Sequence, residues 1–378
     1  MHDTHGTQRT IIDILRKGNQ ELFHSSMIAW LLEPHAEHGL GAGFLDGFAA
    51  LLHAKGAPEL QVALDRELPI RVLTEQTAGT GRYDIVLDCA QLGKVVLENK
   101  TKSLGEDSQL RRYADRNKGV HVVALGLCEE SFSRKQELRM VRYGEVRNIL
   151  ASVVDQADPE FGVLVRHYLA FLHRELHTLD LITDVYGSGQ LERHAELSDR
   201  LALSQVHTEN DRRFLDSVLL ERFHRHLEDQ VPTLAQLDWH VYKNDRSGVW
   251  MADYRTDYAA LPRPYRFRPE LRAIREDVPH AKFWIHLELW NGATGGKLDA
   301  QAGILQLRAG SEGDNRQVCD RVRDTVGIEG PEVFMNKPNP KSKSFGLIKS
   351  PIQRRELVFD ALADRLVAFY ERFGSFGP

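Results

Sequence analysis

Residues 82–100 read Arg82-Tyr83-Asp84-Ile85-Val86-Leu87-Asp88 and, after a short turn, Val95-Val96-Leu97-Glu98-Asn99-Lys100. The two aliphatic runs have the length and the β-branched composition of strands, and the intervening Ala90-Gln91-Leu92-Gly93 predicts a hairpin connection. If the hairpin is centred near Gln91, Asp84 faces Glu98 across the strand pair, with Cβ atoms roughly 5 Å apart. Because side chains alternate along a strand, Glu98 and Lys100 project to one side and Asn99 to the other. A slip of one residue in the register would separate the two carboxylates.

Two opposed carboxylates repel each other unless a positive charge lies between them. Lys100 can offset only one of them, whereas a hard divalent cation, which prefers carboxylate and carbonyl oxygens, satisfies both. Taken alone, however, an Asp and a Glu near a Lys in a hairpin more often form a solvated charge cluster. The hairpin therefore leaves two interpretations open, a metal site and a charged surface, and the neighbouring segments must favour one of them.

The segments on either side of the hairpin add further polar groups. A helix is predicted over Ser108–Asn117, and it carries Gln109 and Tyr113 one helical turn apart. A second helix is predicted over Glu21–Leu32, and its first residue is acidic. That position also suits a carboxylate for a simpler reason, because negative charge is favourable in the first turn of any helix.

The pattern resembles the PD-(D/E)XK nuclease superfamily. Asp84 matches the motif aspartate, Glu98-Asn99-Lys100 matches E-x-K, and Gln109-Leu110-Arg111-Arg112-Tyr113 is similar to the Q-x-x-x-Y helix motif of RecB-type members. Arg82-Tyr83 stands where the name-giving motif has proline. The segment from Glu21 to Leu45 is similar to the opening of a bacterial subgroup of the superfamily. The resemblance covers roughly the first half of the chain.

The resemblance implies an α/β fold: a restriction-endonuclease-like PD-(D/E)XK core with a mixed sheet flanked by helices, followed by a C-terminal α+β domain. It also implies a metal-dependent nuclease that uses Mg²⁺ or Mn²⁺ and acts on nucleic acid, DNA rather than RNA, in bacterial genome defence. The implied metal ligands are Asp84, Glu98, the carbonyl of Asn99, and Glu21. The implied catalytic residues are Asp84, Glu98, Lys100, Gln109 and Tyr113, and the implied phosphate contacts are Arg111 and Arg112.

The order of the predicted elements agrees with such a core. Helices are predicted at 8–16, 21–32, 44–53, 108–117 and 161–176, and strands at 68–75, around Asp84, around Glu98 and at 121–127. We divide the chain into a nuclease-like domain at 1–185, a helical linker region at 186–230 and an α+β accessory domain at 231–378. The role of the accessory domain is substrate or partner recognition.

Composition narrows the class of protein further. The chain has 378 residues, 42% of them apolar and 27% charged, as in an ordinary globular protein. It contains no apolar run near the ~20 residues that span a bilayer, and its first residues lack the basic-then-apolar order of a signal peptide. We therefore expect a cytoplasmic protein without a membrane partner. The net charge of −5 is unlike that of a protein that coats nucleic acid, so phosphate contacts would have to come from local basic patches.

Two rival functions remain open. The nuclease fold can serve as a nucleic-acid sensor or scaffold without turnover, although the intact set of Asp84, Glu98 and Lys100 counts against this. Alternatively, the chain can be a structural subunit that depends on another protein. The aromatic-rich strands of the accessory domain leave room for a homo-oligomer or a protein partner.

Overall fold

The computed structural model describes the following residues: 9–78, 81–102, 105, 119–132, 139–203, 209–235, 238–243, 250–255, 265–277, 281–290, 299–308, 317, 320–322, 324–325, 327, 333–334, 344–345, 347–352 and 359–376. The chain divides into two compact units. The first consists of Met1–Leu181 with Ala195–Phe214, and the second of Ile182–His194 with Leu215–Pro378. The predicted three-part division of the chain stays a prediction.

A mixed five-stranded sheet forms the centre of the first unit. Its strands, in spatial as well as chain order, are β1 (Arg71–Ala78), β2 (Gly81–Asp88), β3 (Lys94–Lys100), β4 (Val120–Gly126) and β5 (Met140–Arg142). The first three strands are antiparallel, whereas β3, β4 and β5 run parallel. Five consecutive residues of β3 are buried, and because they alternate between faces, both faces of the sheet are covered. The predicted mixed sheet flanked by helices is confirmed.

Among the described residues, seven α-helices belong wholly or mainly to this unit. They are α1 (Ile11–Ile14), α2 (Glu21–Leu31), α3 (Gly43–Ala54), α4 (Glu59–Asp65), α5 (Tyr143–Val153), α6 (Gly162–Ile182) and α7 (His194–Leu203). Helix α2 contacts β1, β2 and β3, and helix α4 contacts β3. Helix α2 is thereby held against the strands of the predicted site.

The β2–β3 hairpin has the register expected from its sequence. Ile85 pairs with Leu97 and Asp88 with Lys94, so the next pair in the same register is Asp84 with Glu98. A single 3-10 turn at Ala90–Leu92 closes the hairpin. It is followed by Gly93, whose φ is +108°. A Cβ added to Gly93 would lie only 2.4 Å from the backbone oxygen of Gly119, the residue just before β4. Because only glycine fits there, the turn and the register are specified together.

Several elements differ from the sequence-based expectations. The first strand starts at Arg71 rather than at 68, and the first helix is only four residues long. Helix α4, strand β5 and helix α5 were not predicted. Strand β5 has three residues, too few to show a period of two, and it forms because β4 offers it a parallel edge. The predicted helix 108–117 lies outside the described residues.

The space between α2 and α6 is filled by a buried aromatic cluster around His24. Nε2 of His24 lies 3.1 Å from the carbonyl oxygen of Gly18 and Nδ1 lies 3.2 Å from the hydroxyl of Tyr168. A carbonyl can only accept, so Nε2 carries the proton and Nδ1 accepts from the tyrosine. Phe171 stacks on the imidazole at a centroid distance of 5.2 Å. Burial lowers the pKa of His24 to about 3.

The neutral state of His24 predicts a loss of stability in mild acid. In the unfolded chain the imidazole has a pKa of about 6.5, so between pH 6.5 and 3 the unfolded state binds a proton that the native state does not. The stability is therefore complete above pH 6.5 and is lost as the pH falls, by about 2 kcal/mol at pH 5. Denaturant unfolding measures the difference in free energy of unfolding between wild type and His24→Gln. This difference should fall by about 2 kcal/mol when the pH is lowered from 7 to 5. The partly exposed His121 provides the control substitution, and a difference that does not vary with pH would contradict the prediction.

The second unit contains an antiparallel sheet of seven strands. They are β6 (Asp238–Lys243), β7 (Trp250–Arg255), β9 (Ala281–Trp290), β10 (Asp299–Arg308), β11 (Val333–Phe334), β12 (Ser344–Phe345) and β13 (Leu347–Ile352). Their order in the sheet is β11-β13-β10-β9-β7-β6, with β12 pairing with β10. A two-stranded sheet pairs β8 (Tyr265–Phe267) with β14 (Gly374–Phe376). The remaining helices are α8 (Glu209–Gln230), which begins in the first unit, α9 (Pro232–Ala235), α10 (Pro269–Asp277) and α11 (Phe359–Phe373). The predicted α+β class of the C-terminal part is confirmed. Within the described ranges, no helix combines the length and the apolar character needed to cross a bilayer.

Candidate active site

The structure brings four of the predicted site residues together where β3 ends. Asp84 lies on β2, Glu98 and Lys100 lie on β3, and Glu21 is the first residue of α2. Nζ of Lys100 donates to Oε1 of Glu98 at 2.9 Å and lies 3.5 Å from Oε2 of Glu21. Glu98 and Lys100 therefore share one side of β3, as the alternation of side chains predicts.

Exposure of these side chains is graded across the site. The side chain of Glu98 is 2% exposed, that of Lys100 is 12% exposed and that of Glu21 is 32% exposed. Solvent therefore reaches the site from the side of Glu21, while Glu98 forms its floor. This arrangement is the reverse of a solvated charge cluster, in which every member faces water.

Among the described residues, three carboxylates lie around the ammonium group of Lys100, those of Glu21, Asp84 and Glu98. Burial and the nearby Asp84 raise the pKa of Glu98 to about 7. Burial also raises the pKa of Asp84, although the amide of Asn99 and the charge of Lys100 oppose the shift. Burial alone would lower the pKa of Lys100, but Glu21 and Glu98 outweigh it and raise the pKa above its usual value.

Asn99 links the two strands to the first core helix. Its backbone amide donates to Oδ2 of Asp84 at 2.7 Å. Its side chain points to the other side of β3, where Nδ2 donates to Oγ of Ser25 at 3.0 Å and to the carbonyl oxygen of Glu21 at 3.2 Å. Its Oδ1 accepts from the hydroxyl of Tyr143 at 2.9 Å. The carbonyl oxygen of Asn99, which the resemblance implies as a metal ligand, is separate from these groups, and its role stays a prediction.

The donor chemistry of this site fits a small divalent cation. In the part of the chain that the structure describes, no group of three or more His, Cys, Asp and Glu side chains is placed as the ligands of one ion. Mg²⁺ does not need such a cage, because it keeps several waters and is commonly bound through one or two carboxylates and substrate phosphates. The carboxylates of Asp84 and Glu98 lie on neighbouring strands and repel each other electrostatically. These residues would hold such an ion, with Glu21 nearest to solvent.

Glu75 is a site residue that the sequence interpretation missed. It lies across from Asp84 on β1, and the pairing of β1 with β2 skips this one position. Glu75 has a φ of +56°, in the left-handed region that non-glycine residues rarely adopt. Its carboxylate forms an ion pair with Arg82 and contributes to the raised pKa of Asp84. A fourth acidic group therefore adjoins the site, and the register of β1 against β2 is the signal that would have found it.

The other predicted site residues lie outside the described residues. They are Gln109, Arg111, Arg112 and Tyr113, all on the predicted helix 108–117. Their roles stay predictions.

A second charged cluster is buried beside the site and was also missed. Nζ of Lys102, two residues after β3, lies 2.8 Å from Oε2 of Glu175. Arg174 donates to both carboxylate oxygens of Asp13, at 2.5 and 2.6 Å, and lies 3.3 Å from Glu175. Each of these four side chains is at most 6% exposed. Two cations and two anions balance each other, and together they tie the chain after β3 to α1 and α6.

The sequence model of a family described as PD-(D/E)XK nuclease superfamily matches residues 10–156. The matched range includes all five strands of the first sheet and the residues Glu21, Asp84, Glu98 and Lys100. Neither the curated proteins nor the solved structures give a significant match. The RecB-type assignment of the Q-x-x-x-Y motif stays a prediction.

Proposed function

We propose that the chain is a metal-dependent nuclease that hydrolyses phosphodiester bonds, because its residues 10–156 match the sequence model of the PD-(D/E)XK nuclease superfamily. The observation that carries the proposal is the buried set formed by Asp84, Glu98 and Lys100, with Glu21 at its solvent side. These residues come from two strands and one helix, so the fold and not a local turn holds them together. A set of charges with no chemical role would be costly to bury in this way.

Each residue of the set has a proposed role. Asp84, Glu98, the carbonyl of Asn99 and Glu21 hold Mg²⁺ or Mn²⁺. When bound, such an ion polarises the scissile phosphate and lowers the pKa of a coordinated water. Lys100, held 2.9 Å from Glu98, positions the attacking water or helps to deprotonate it, and it stabilises the negative charge that develops on the phosphate.

The substrate is the part of the proposal that rests on the superfamily alone. We propose DNA rather than RNA, with Gln109 and Tyr113 orienting the substrate backbone and Arg111 and Arg112 contacting phosphate. A cytoplasmic role in bacterial genome defence is the corresponding biological proposal. The second unit would supply recognition of the target or of a protein partner.

The test is a cleavage assay with the purified full chain. Supercoiled, linear and single-stranded DNA and an RNA are each incubated with Mg²⁺, Mn²⁺ or EDTA, and we expect cleavage of DNA with either ion and none with EDTA. Asp88→Asn is a matched control, because Asp88 lies on the same hairpin at its far end and pairs with Arg71 at 2.6 Å. Cleavage that persists in Glu98→Ala or Lys100→Ala protein would refute the assignment. Binding without cleavage under every metal condition would favour the sensor instead.

A further inference from the structure

We propose that Tyr143 is a positioning residue of the metal site and that it acts through Asn99; this inference rests on the proposed function. Tyr143 is the first residue of α5 and directly follows β5. In the sheet, β5 lies on the opposite side of β3 from β2. It is fully buried. Its hydroxyl donates to Oδ1 of Asn99 at 2.9 Å, so it reaches the residue between Glu98 and Lys100 without contacting either of them.

The Asn99 side chain has its hydrogen-bonding groups in use on three sides. The amide nitrogen donates to Ser25 and to the carbonyl of Glu21, both on α2, while the amide oxygen accepts from Tyr143. A primary amide has donors at one end and acceptors at the other, so this set of partners admits one orientation of the group. The carbonyl oxygen of Glu21 can only accept, so it identifies the nitrogen end of the amide, and the tyrosine hydroxyl then donates to the oxygen end.

The fixed side chain in turn fixes the backbone of Asn99. That backbone donates to Oδ2 of Asp84, and it connects Glu98 to Lys100. A shift of this one residue would therefore displace the carboxylate on β2 and the two charged groups on β3 at the same time. Removing a group that orients metal ligands through hydrogen bonds, without contacting the metal itself, commonly lowers the metal affinity by about 10–100-fold.

Thr178 provides a control for Tyr143. It lies on α6 and is 3% exposed, and its hydroxyl donates to the carbonyl oxygen of Arg174 at 2.9 Å. Tyr168→Phe would not serve, because the hydroxyls of Tyr143 and Tyr168 interact with each other. Thr178→Val removes a buried hydroxyl while leaving the bond from Tyr143 to Asn99 in place, so the two variants are expected to differ in metal binding.

The experiment measures Mn²⁺ binding by calorimetry in wild type, Tyr143→Phe and Thr178→Val. We expect the Kd for Mn²⁺ to rise about 10–100-fold in Tyr143→Phe and to stay within about threefold of wild type in Thr178→Val. Steady-state kinetics at fixed Mn²⁺ should show a lower kcat in Tyr143→Phe with little change in KM for DNA, because the hydroxyl does not face the substrate. In EDTA, hydrogen exchange of the amides of residues 98–100 should be several-fold faster in Tyr143→Phe than in Thr178→Val.

The outcomes separate this inference from the proposed function. If wild type cleaves DNA and binds Mn²⁺ but Tyr143→Phe matches Thr178→Val in Kd and in exchange, the inference is overturned and the nuclease stands. If wild type neither binds Mn²⁺ nor cleaves, both are overturned. If Tyr143→Phe does not fold, Ser25→Ala removes another partner of the same amide, and an unchanged Kd in that variant would overturn the inference.

Discussion

Glu98→Gln is expected to abolish cleavage while leaving the metal-free protein as stable as wild type or more stable. In the proposed function the carboxylate would supply a metal ligand at the floor of the site, so we expect a loss of roughly 10³-fold or more in kcat. The effect of the substitution on the free energy of unfolding is expected to be favourable, because keeping this buried group ionised beside Asp84 destabilises the native state. Glutamine has a similar shape without the charge.

The pH dependence of that stability follows from the raised pKa of Glu98. Its pKa is about 7 in the native state against an ordinary value of 4.5. Below pH 4.5 both states are protonated and the group has no net effect on stability. As the pH rises from 4.5 through 7, the unfolded chain ionises first and the native state is progressively destabilised. Glu98→Gln removes this penalty, so its advantage over wild type in EDTA should grow to about 1–3 kcal/mol by pH 8.

Urea unfolding at pH 5 and pH 8 in EDTA, with and without Mn²⁺, measures both effects. Added Mn²⁺ should raise the stability of wild type and of Asp88→Asn but not that of Glu98→Gln. A variant that is less stable than wild type by the same amount at both pH values would show that the ionised carboxylate supports the metal-free fold. The charge argument would then be wrong.

Local sequence was enough to predict the hairpin and the residues it presents. The register of β2 against β3 depends on a short connection and on alternating burial, and both can be counted from Asp84 to Glu98. Glu21 was identified through the resemblance to the superfamily and not from local sequence, since a carboxylate suits the first turn of any helix. Ser25, one turn further on, could have been inferred from the same helix.

The supports of the site could not be predicted in this way, because they depend on long-range packing. Tyr143 follows Asn99 by 44 residues, and it reaches Asn99 only because β4 and β5 add in parallel beside β3. The three-residue β5 carries no periodic signal. Arg174 and Asp13 are 161 residues apart, and neither segment contains a motif that predicts its partner.

Arg174→Met is expected to destabilise the protein by about 3–5 kcal/mol, because it leaves a buried carboxylate without its partner. Burial alone would raise the pKa of Asp13, but the hydrogen bonds from Arg174 and Thr10 outweigh it and lower the pKa. Arg174 also neighbours Glu175, which pairs with Lys102. Removing the guanidinium therefore affects both acidic members of the cluster. Urea unfolding in EDTA at pH 7 measures the loss.

The control for Arg174→Met is Glu129→Gln, which removes a 2.9 Å ion pair with Arg142 that is about half exposed on both sides. Exposed pairs contribute little, so we expect a change below about 1 kcal/mol. A comparable loss in both variants would contradict the argument from burial.

The double variant Asp13→Asn with Arg174→Met tests the cause of the loss. Asparagine retains an oxygen that can accept from Thr10, whose backbone and hydroxyl both bond to Asp13, so the N-terminal cap of α1 is preserved. If the loss in Arg174→Met comes from an uncompensated charge, neutralising Asp13 should recover about 1–3 kcal/mol. Losses that simply add would instead assign the effect to packing of the arginine stem. The cluster anchors Lys102, just beyond β3. If that anchor serves stability alone, the folded double variant should cleave DNA at 20 °C within a few fold of wild type.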